Sequence, residues 1–575
     1  MTNSLNNNKD VDTEIIRMIN NNDLDGAIIK IDSVLRINPN NLDYLHYLGM
    51  VFYFKGDEEL ADKTYARALD IAPDRNIILK LQLETLTRVG KYNKAFNIIS
   101  RYKDEVDMND VGFLHQYALI YNGLKDFENA KIFFVKAIRK DKTKPYLLYH
   151  YGFFLNSIGK HSLAIKNYLR AMGLFKKDLS QLVSLYYNLS SSYSALMDKD
   201  NALIYINKLL KIDNKNTNAK KKKAMILGQM QKYEEAISIV DDIIKENEND
   251  LDCFVLLSRF YFISADYLKS VKAAKKALII NDTNIDARIN LASSLINLKR
   301  YTEAEEECLK GLKLDNNNVN LLMNISTLYT EMGDFDKSLV ELEKLKNIEP
   351  NNSTLNSLYP YICEQLGIEK KLDYLSKPIE FVSKYNLISD GIIDRKEINS
   401  IKKYCEKLSK RWEPKERTTQ NGYQTDSVLF EQNNKDIMTV KETIYSYIKR
   451  YLLDFKDKDD LFIRNYPKLN KIEGWCVFLK ESGHQTSHNH PSGWLSGCLY
   501  LDIPKKLQND QGSIEFSYHG YNFPILNPKI SKLLIKPTVG DLILFPSTLF
   551  HKTIPFSGKR DRVSIAFDIY PSIEN

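Results

Sequence analysis

Apolar residues across positions 1–350 follow helical spacing that is interrupted at nearly constant intervals by turn residues. Small residues mark the same phase of each interval. They are Ala27, Ala61, Ala95, Ala130, Ala164, Ala202, Ala236, Ser270, Ala304 and Ser338, and the successive steps are 34, 34, 35, 34, 38, 34, 34, 34 and 34 residues. A fixed period of this length indicates that one helical unit is repeated about ten times.

The unit at residues 42–75 shows how the repeat is built. Gly49 lets two antiparallel helices approach closely, and Tyr65 fills the groove to the next unit. Pro73 stands where the second helix must end, because proline cannot continue a helix. Asparagine-rich turns, such as the one at residues 38–41, supply helix N-caps.

This unit resembles the tetratricopeptide repeat, whose period is 34 residues. The resemblance implies an α-solenoid of helical hairpins with a long concave surface. Such surfaces hold peptides or protein partners, and we expect a protein or peptide in this groove. The alternative is that the array acts only as a spacer or a dimerisation device.

The pattern changes after residue 350. One partial helical unit continues to about Leu375 and is expected to cap the array, and residues 377–381 are expected to be extended. Amphipathic helices are predicted at residues 394–408 and 436–455. Short alternating strands follow, at residues 474–480, 495–503, 512–517, 541–545 and 562–570.

Helices followed by many short strands are typical of a mixed α+β domain built on a jelly-roll, or double-stranded β-helix. The predicted organisation is therefore a repeat array at residues 1–375, ending in a capping helix, and a β-rich domain at residues 376–575. The segment at residues 418–426 is a candidate substrate-facing strand of that domain.

Charge and composition exclude several classes of protein. The 81 Lys and Arg residues against 74 Asp and Glu give a formal charge of +7 over 575 residues, so nucleic acid is not an expected partner. The six cysteines form no CxxC pair, the N-terminus has no apolar signal region, and no segment approaches the roughly 20 apolar residues that cross a bilayer. We therefore expect a cytoplasmic protein without a membrane partner.

Five of the nine histidines fall within 68 residues of the β-rich domain: His484, His488, His490, His519 and His551. His488 and His490 are two residues apart, so a strand would place both imidazoles on one face. His551 follows a strand and a turn and could meet the pair from a neighbouring strand. Three neutral imidazoles can hold Fe(II), Zn(II), Cu(II) or Ni(II), and the spacing alone does not choose among them.

Arg562 and Ser564 share one face of the last predicted strand. A guanidinium there is suited to bidentate binding of a carboxylate, with the serine hydroxyl as a second donor. The alternative for Arg562 is an ion pair with Asp541 or Asp561. Tyr500 is either a hydroxyl donor to the same ligand or a core tyrosine.

The string from His488 to Leu501, the segment Gly540 to Pro546, His551 and Arg562-Val-Ser564 together resemble the 2-oxoglutarate and Fe(II)-dependent oxygenase superfamily over about residues 376–575. The resemblance implies that His488 and His551 are ligands of Fe(II). It also implies that Arg562, helped by Ser564, binds the distal carboxylate of 2-oxoglutarate. The expected function is thus a 2-oxoglutarate-dependent dioxygenase, an oxidoreductase of the hydroxylase type, that uses O2 and 2-oxoglutarate as cosubstrates.

One position departs from the superfamily, because His490 stands where its members have Asp or Glu. A neutral ligand in place of an anion leaves the site one charge more positive. Three interpretations stay open at this point: a three-histidine iron site, a two-histidine site completed by water, and a domain that binds metal without oxygenating. The competing function is a tetratricopeptide scaffold with a non-catalytic or cupin-like metal-binding jelly-roll, although a cupin has no need of a carboxylate anchor at Arg562.

Overall fold

The computed structural model describes residues 3–571 except residues 73–74, 104–106, 108, 176–178, 370–371, 415–417, 465, 468, 506 and 522. The chain divides into two compact units, Met1–Ala219 and Lys220–Asn575. The first unit consists of helices, and the second begins with helices and ends in the β-rich domain. No described helix has the length and apolar character needed to cross a bilayer.

Helical hairpins fill the first unit. Its helices are α1 Asn3–Asn20, α2 Leu24–Ile37, α3 Leu42–Lys55, α4 Glu58–Ile71, α5 Arg75–Arg88, α6 Tyr92–Arg101, α7 Val111–Gly123, α8 Phe127–Lys140, α9 Pro145–Ser157, α10 His161–Leu174, α11 Leu179–Ala195 and α12 Lys199–Ile212, and α13 Thr217–Gln229 begins at its end. The hairpin α3–α4 matches the repeat predicted at residues 42–75. Pro73 lies outside the described residues.

The second unit continues the same pattern. Its repeat helices are α14 Tyr233–Glu246, α15 Leu251–Ile263, α16 Tyr267–Ile280, α17 Ile285–Asn297, α18 Tyr301–Leu314, α19 Val319–Met332, α20 Phe335–Ile348 and α21 Ser353–Leu366. The asparagine turns cap helices as predicted: the Asn318 side chain accepts a hydrogen bond from the Leu321 amide at 3.2 Å. The helical repeat architecture predicted from the 34-residue period is confirmed.

In two hairpins of the first unit, a tyrosine ring of the second helix packs directly against a glycine of the first. A Cβ placed on Gly49 would lie 2.6 Å from the Tyr65 ring, and the same contact recurs at 2.7 Å between Gly152 and Tyr168. The Tyr65 hydroxyl also hydrogen-bonds Thr85 of the next hairpin at 3.1 Å. Tyrosine therefore closes its own hairpin and reaches the following one.

The 38-residue step before Ala202 has a partial structural explanation. Helix α11 contains 17 residues, whereas its neighbours α10 and α12 contain 14 each. The insertion is therefore at least partly an extra helical turn, and residues 176–178 lie outside the described residues.

Three helices accompany the sheets of the β-rich domain: α22 Arg395–Lys407, α23 Lys435–Asp454 and α24 Leu461–Arg464. The two amphipathic helices predicted there are confirmed. The expectation that residues 377–381 are extended is wrong, because Pro378–Phe381 form a 3-10 turn. Proline with its fixed φ is well suited to a first helical turn, and this outweighs the extended preference of the flanking residues.

Ten strands complete the described part of the domain. They are β1 Ser383–Asn386, β2 Lys410–Trp412, β3 Thr419–Thr425, β4 Leu469–Gln485, β5 Leu495–Asp502, β6 Ile514–Ser517, β7 Lys532–Ile535, β8 Asp541–Pro546, β9 Phe550–Thr553 and β10 Arg562–Pro571. All five predicted strands are present. The additional strands β1, β2, β7 and β9 have three or four residues each, too few to show an alternating pattern.

The strands form two antiparallel sheets, one ordered β1-β8-β5-β10-β4-β3-β2 and the other β7-β6-β9. Tyr500 and Phe545 of the larger sheet and Phe516 of the smaller one belong to a single buried core, so the sheets pack face to face. The outer face of the larger sheet is covered by α22 and α23. This arrangement is the predicted mixed α+β jelly-roll, and its interior holds the histidines.

The contact between Gly152 and Tyr168 can be tested by adding one methyl group. We expect Gly152→Ala to lower the free energy of unfolding by about 1–3 kcal/mol, because the Cβ overlaps a ring that cannot move. The control is Gly173→Ala in α10, where a Cβ meets nothing within 4 Å. That variant should be unchanged or more stable by up to about 1 kcal/mol in chemical denaturation. Equal effects at both positions would contradict the proposed packing.

Candidate metal centre

The candidate metal centre is built on one antiparallel backbone bridge. His488 N donates to His551 O at 3.1 Å, and His551 N donates to His488 O at 2.9 Å. The strand expected at His488 and His490 is reduced to this bridge, and the chain continues with His490 N donating to Ser547 O at 2.7 Å. Residues 63 positions apart in the sequence are thus held side by side by backbone bonds alone.

The structure brings together the three histidines predicted as a metal site. The ring centroids of His488 and His551 are 4.3 Å apart, and His490 lies 5.1 Å from the first and 5.2 Å from the second. One ligand nitrogen from each ring falls within 4.8 Å of the other two. Three imidazoles in this arrangement can share a single metal ion.

Oxygen atoms occupy the Nδ1 side of every ring in the cluster. His488 Nδ1 lies 2.6 Å from Thr486 O, His551 Nδ1 lies 3.2 Å from Leu549 O, and His490 Nδ1 lies 2.7 Å from Asp568 Oδ2. An oxygen acceptor at Nδ1 selects the tautomer with hydrogen on Nδ1, which leaves the Nε2 lone pair for a metal. The tautomers are therefore set before any ion binds.

Burial keeps two of the imidazoles uncharged. It lowers the pKa of His488 to about 4, with His490 as a secondary cause. Burial also holds the pKa of His551 well below its usual range. At neutral pH both rings are therefore neutral, which is the form that binds metal.

Asp568 is a residue of the site that the sequence analysis did not identify. One of its carboxylate oxygens contacts His490, and the other accepts a hydrogen bond from the Ser496 hydroxyl at 2.5 Å. Asp568 lies on the same face of β10 as Arg562 and Ser564, since it follows them by even numbers of residues. That alternation was visible in the sequence, but it does not show that Asp568 contacts His490.

The Arg562 guanidinium is buried at the far end of the same strand face, with only 2% of the residue exposed. Its Nε donates to Gly512 O at 3.1 Å and its Nη2 donates to the Tyr500 hydroxyl at 3.2 Å. The alternative of an ion pair with Asp541 or Asp561 is not what the structure has, because those carboxylates pair with Lys384 and Lys480.

Within the described residues, Arg562 therefore faces no carboxylate. Tyr500 and Ser564 lie opposite each other in the register of β5 and β10, and both are buried. The Tyr500 ring lies against the guanidinium, 4.8 Å from its carbon. Burial raises the pKa of the Tyr500 hydroxyl, so it stays protonated and able to donate. A buried cation with neutral donors around it is suited to an anionic ligand.

Other aromatic and polar side chains complete the surroundings. The Trp475 ring stacks on His490 with centroids 5.8 Å apart, and the Thr418 hydroxyl lies 3.5 Å from His488 Nε2. Strand β3 follows Thr418, as the sequence predicted. His484 and His519 stay outside the cluster: both border a cavity of about 410 Å³, where His519 Nε2 lies 2.8 Å from Phe523 O.

Comparison with known families accounts for both halves of this architecture. Residues 473–568 match the family model described as "Putative 2OG-Fe(II) oxygenase". Residues 42–75, 111–143, 183–216, 285–318 and 319–352 match the tetratricopeptide repeat. The chain therefore matches tetratricopeptide repeats and, after them, this oxygenase family, as the sequence motifs indicated.

Curated relatives match part of the chain at low identity. "DnaJ protein P58IPK homolog B" from rice is 24% identical over 292 residues, which cover 42% of this chain and 59% of the relative. "Hsp70-Hsp90 organizing protein 1" from Glycine max is 22% identical over 267 residues, or 45% of this chain and 44% of the relative. The chain therefore spans less than two thirds of these relatives. A solved tetratricopeptide repeat protein from Parabacteroides merdae is 17% identical, with a TM-score of 0.40, and covers 44% of this chain and 98% of its own.

The contact between His490 and Asp568 gives the first test of the centre. We expect Asp568→Asn to weaken binding of Fe(II) or Zn(II) by about 10–100-fold, because the oriented, electron-rich form of His490 depends on the carboxylate. Anaerobic titration measures the affinity. Asp502→Asn is the matched control: this buried carboxylate on the neighbouring β5 pairs with Lys402 and Arg560, away from the histidines. A Zn(II) affinity that is the same in both variants would contradict the role of Asp568.

Proposed function

We propose that the C-terminal domain is an Fe(II)- and 2-oxoglutarate-dependent dioxygenase, a hydroxylase, and that the repeats recruit its protein partner or substrate. The observation that carries the proposal is the pairing of two features in one jelly-roll interior. Three histidines, two of them buried and His490 half-buried, each place one ligand nitrogen within 4.8 Å of the other two. A buried arginine that has no carboxylate partner among the described residues lies on the same strand face as Asp568. The match to the oxygenase family supports the same conclusion.

The donor set fits Fe(II). Neutral imidazole nitrogen is a ligand that divalent iron accepts, and three such ligands leave coordination positions open. His488, His490 and His551 would hold the ion. Their Nδ1 partners fix each ring, so the site would bind metal without rearranging its side chains.

The position of His490 explains how the centre could work without a carboxylate ligand. Asp568 places a negative charge on the Nδ1 side of His490, one ring away from the metal position. A carboxylate on the far side of a histidine raises the basicity of that ligand. Part of the charge that an Asp or Glu ligand would bring is thus supplied through the imidazole.

The cosubstrate would bind between the histidines and the far end of β10. Arg562 would pair with the distal carboxylate of 2-oxoglutarate, with Ser564 and Tyr500 as hydroxyl donors. Bound iron with 2-oxoglutarate and O2 supplies the oxidising chemistry, in which the cosubstrate is converted to succinate and CO2. The chain contributes placement and exclusion of water, since Trp475 and Phe516 pack against the ligand rings.

The repeats would bring a polypeptide to this domain. Tetratricopeptide arrays present a concave surface, and the relative named "Hsp70-Hsp90 organizing protein 1" is by its name a protein that organises other proteins. In the first unit, Tyr146, Tyr149, His150 and Phe175 line a cavity of about 380 Å³. Aromatic side chains at such a surface are common anchors for a protein ligand.

The cosubstrate site is tested by anaerobic titration with Fe(II) and 2-oxoglutarate, followed by the weak visible charge-transfer band of the chelated complex. Wild type should show the band, and Arg562→Ala should need about 10–100-fold more 2-oxoglutarate to reach it, because a charge-assisted contact is lost. Arg560→Ala, which removes a largely exposed arginine two residues earlier on the chain, should titrate like wild type. If iron binds but no band appears at any 2-oxoglutarate concentration, the domain is a metal-binding scaffold and not an oxygenase.

Recruitment by the repeats has its own test. The enzyme is incubated with Fe(II), 2-oxoglutarate and a cell extract, and mass spectrometry counts peptides that are one oxygen heavier. We expect Tyr149→Ala to lower the yield of oxidised peptides about tenfold or more, as loss of a tyrosine anchor does, while the charge-transfer band is retained. Tyr187→Ala removes an exposed tyrosine of α11 outside the cavity and should match wild type. Equal yields from both variants would remove this surface from the proposal.

A further inference from the structure

Asn489 lies between the two histidines of the pair and points the opposite way. Its Nδ2 donates to Ser357 Oγ at 2.9 Å and to Thr548 O at 3.1 Å, and its Oδ1 accepts from the Tyr521 hydroxyl at 2.8 Å. These partners come from helix α21, the β8–β9 turn and the β6–β7 connection. One amide therefore ties three separate segments to the backbone that carries His488 and His490.

The β8–β9 turn gives three consecutive carbonyls to this small region. Ser547 O accepts from His490 N, Thr548 O accepts from Asn489 Nδ2, and Leu549 O accepts from His551 Nδ1. Ser357 Oγ also lies 3.3 Å from Thr548 O. The last repeat helix thus touches the middle carbonyl of a turn whose neighbours hold two candidate metal ligands.

Helix α21, the expected capping helix of the array, is buried against the β-rich domain. Its residues Leu355, Leu358, Tyr361 and Ile362 are buried, and they share a core with Phe523 and Phe550 of the β-rich domain. This helix also binds the β6–β7 connection, where Gln365 Oε1 accepts from the amides of Leu526 and Asn527 at 2.8 and 2.9 Å. The helix that ends the repeat array is therefore also part of the core of the β-rich domain.

We propose that Ser357 and Asn489 are positioning residues of the metal centre, and that α21 therefore helps to hold its histidines in place. Because side chains alternate along extended chain, the direction of the Asn489 side chain fixes the direction of His488 and His490. Ser357 is held by its own helix through a 2.8 Å bond to Ser353 O, so it offers Asn489 a fixed acceptor. A displacement of α21 would move the histidine pair. The part of this inference that concerns metal rests on the proposed function.

The test uses Ser357→Ala and Asn489→Ala in the full-length protein, with a matched pair of controls. Asn290 Nδ2 donates to Ser258 Oγ at 2.8 Å and to Val255 O at 3.4 Å, which repeats the same pattern of contacts between repeat helices far along the chain. Asn290→Ala and Ser258→Ala therefore remove equivalent bonds without touching the centre. Thermal unfolding of all four variants reports any general loss of stability.

The first readout needs no metal. Amide hydrogen exchange in the apo protein should become about 3–10-fold faster at residues 486–491 and 547–551 in Ser357→Ala and Asn489→Ala, since one hydrogen bond is worth about 1 kcal/mol. The two controls should leave these segments unchanged. The second readout is Co(II) affinity by titration, which should fall about tenfold in the two site variants, as for other groups that orient metal ligands.

The outcomes separate the two ideas. Unchanged exchange at residues 486–491 in Ser357→Ala and Asn489→Ala, or an equal change in the Asn290→Ala control, would overturn the positioning role. Faster exchange in a protein that binds neither Co(II) nor Fe(II) would support the positioning role and reject the proposed oxygenase. Faster exchange together with weaker Co(II) binding supports the positioning role and the metal centre on which the proposed function rests.

Discussion

The antiparallel bridge between His488 and His551 is the constraint on which the candidate centre depends. The two residues exchange both backbone hydrogen bonds, so their side chains emerge next to each other on one face. His490 follows on the same face and is fixed by the adjacent bond to Ser547 O. Because the backbone sets all three positions and the Nδ1 contacts orient the rings, little conformational entropy remains to be lost when an ion binds.

The charged residues on the inward face of β10 give the two ends of this interior opposite electrostatic preferences. Asp568 lies at the histidine end of the inward face and Arg562 at the other end, with Ser564 and Ala566 between them. A cation is favoured near the carboxylate and an anion near the guanidinium, and the low dielectric of a buried site strengthens both preferences. A ligand that chelates a metal at one end and carries a carboxylate at the other satisfies both at once, which a metal ion alone does not.

The features that could be predicted from the sequence are those that depend on residues close together in the chain. The repeats could be predicted because each hairpin repeats local signals, such as Gly49 with Tyr65 and the capping role of Asn318. The histidine pair could be predicted because alternation on a strand is also local. The partner of His490 could not be chosen in the same way, since Asp568 is 78 residues away and reaches it only through the pairing of β10 within the sheet.

Helix α21 also makes contacts that its local sequence does not predict, in this case with the β-rich domain. Its sequence continues the repeat and predicts a capping helix, but it does not reveal that a second apolar face of the helix meets Phe523 and Phe550. Burying an aromatic side chain contributes about 1.5–3 kcal/mol, so these two contacts alone oppose any separation of helix and domain. The polar contacts of Gln365 and Ser357 would also be left unsatisfied if the helix moved away. Helix α21 and the β6–β7 connection therefore move together. Because Ser357 of α21 contacts Thr548 O, a movement of α21 would also displace the β8–β9 turn, whose carbonyls contact His490 and His551.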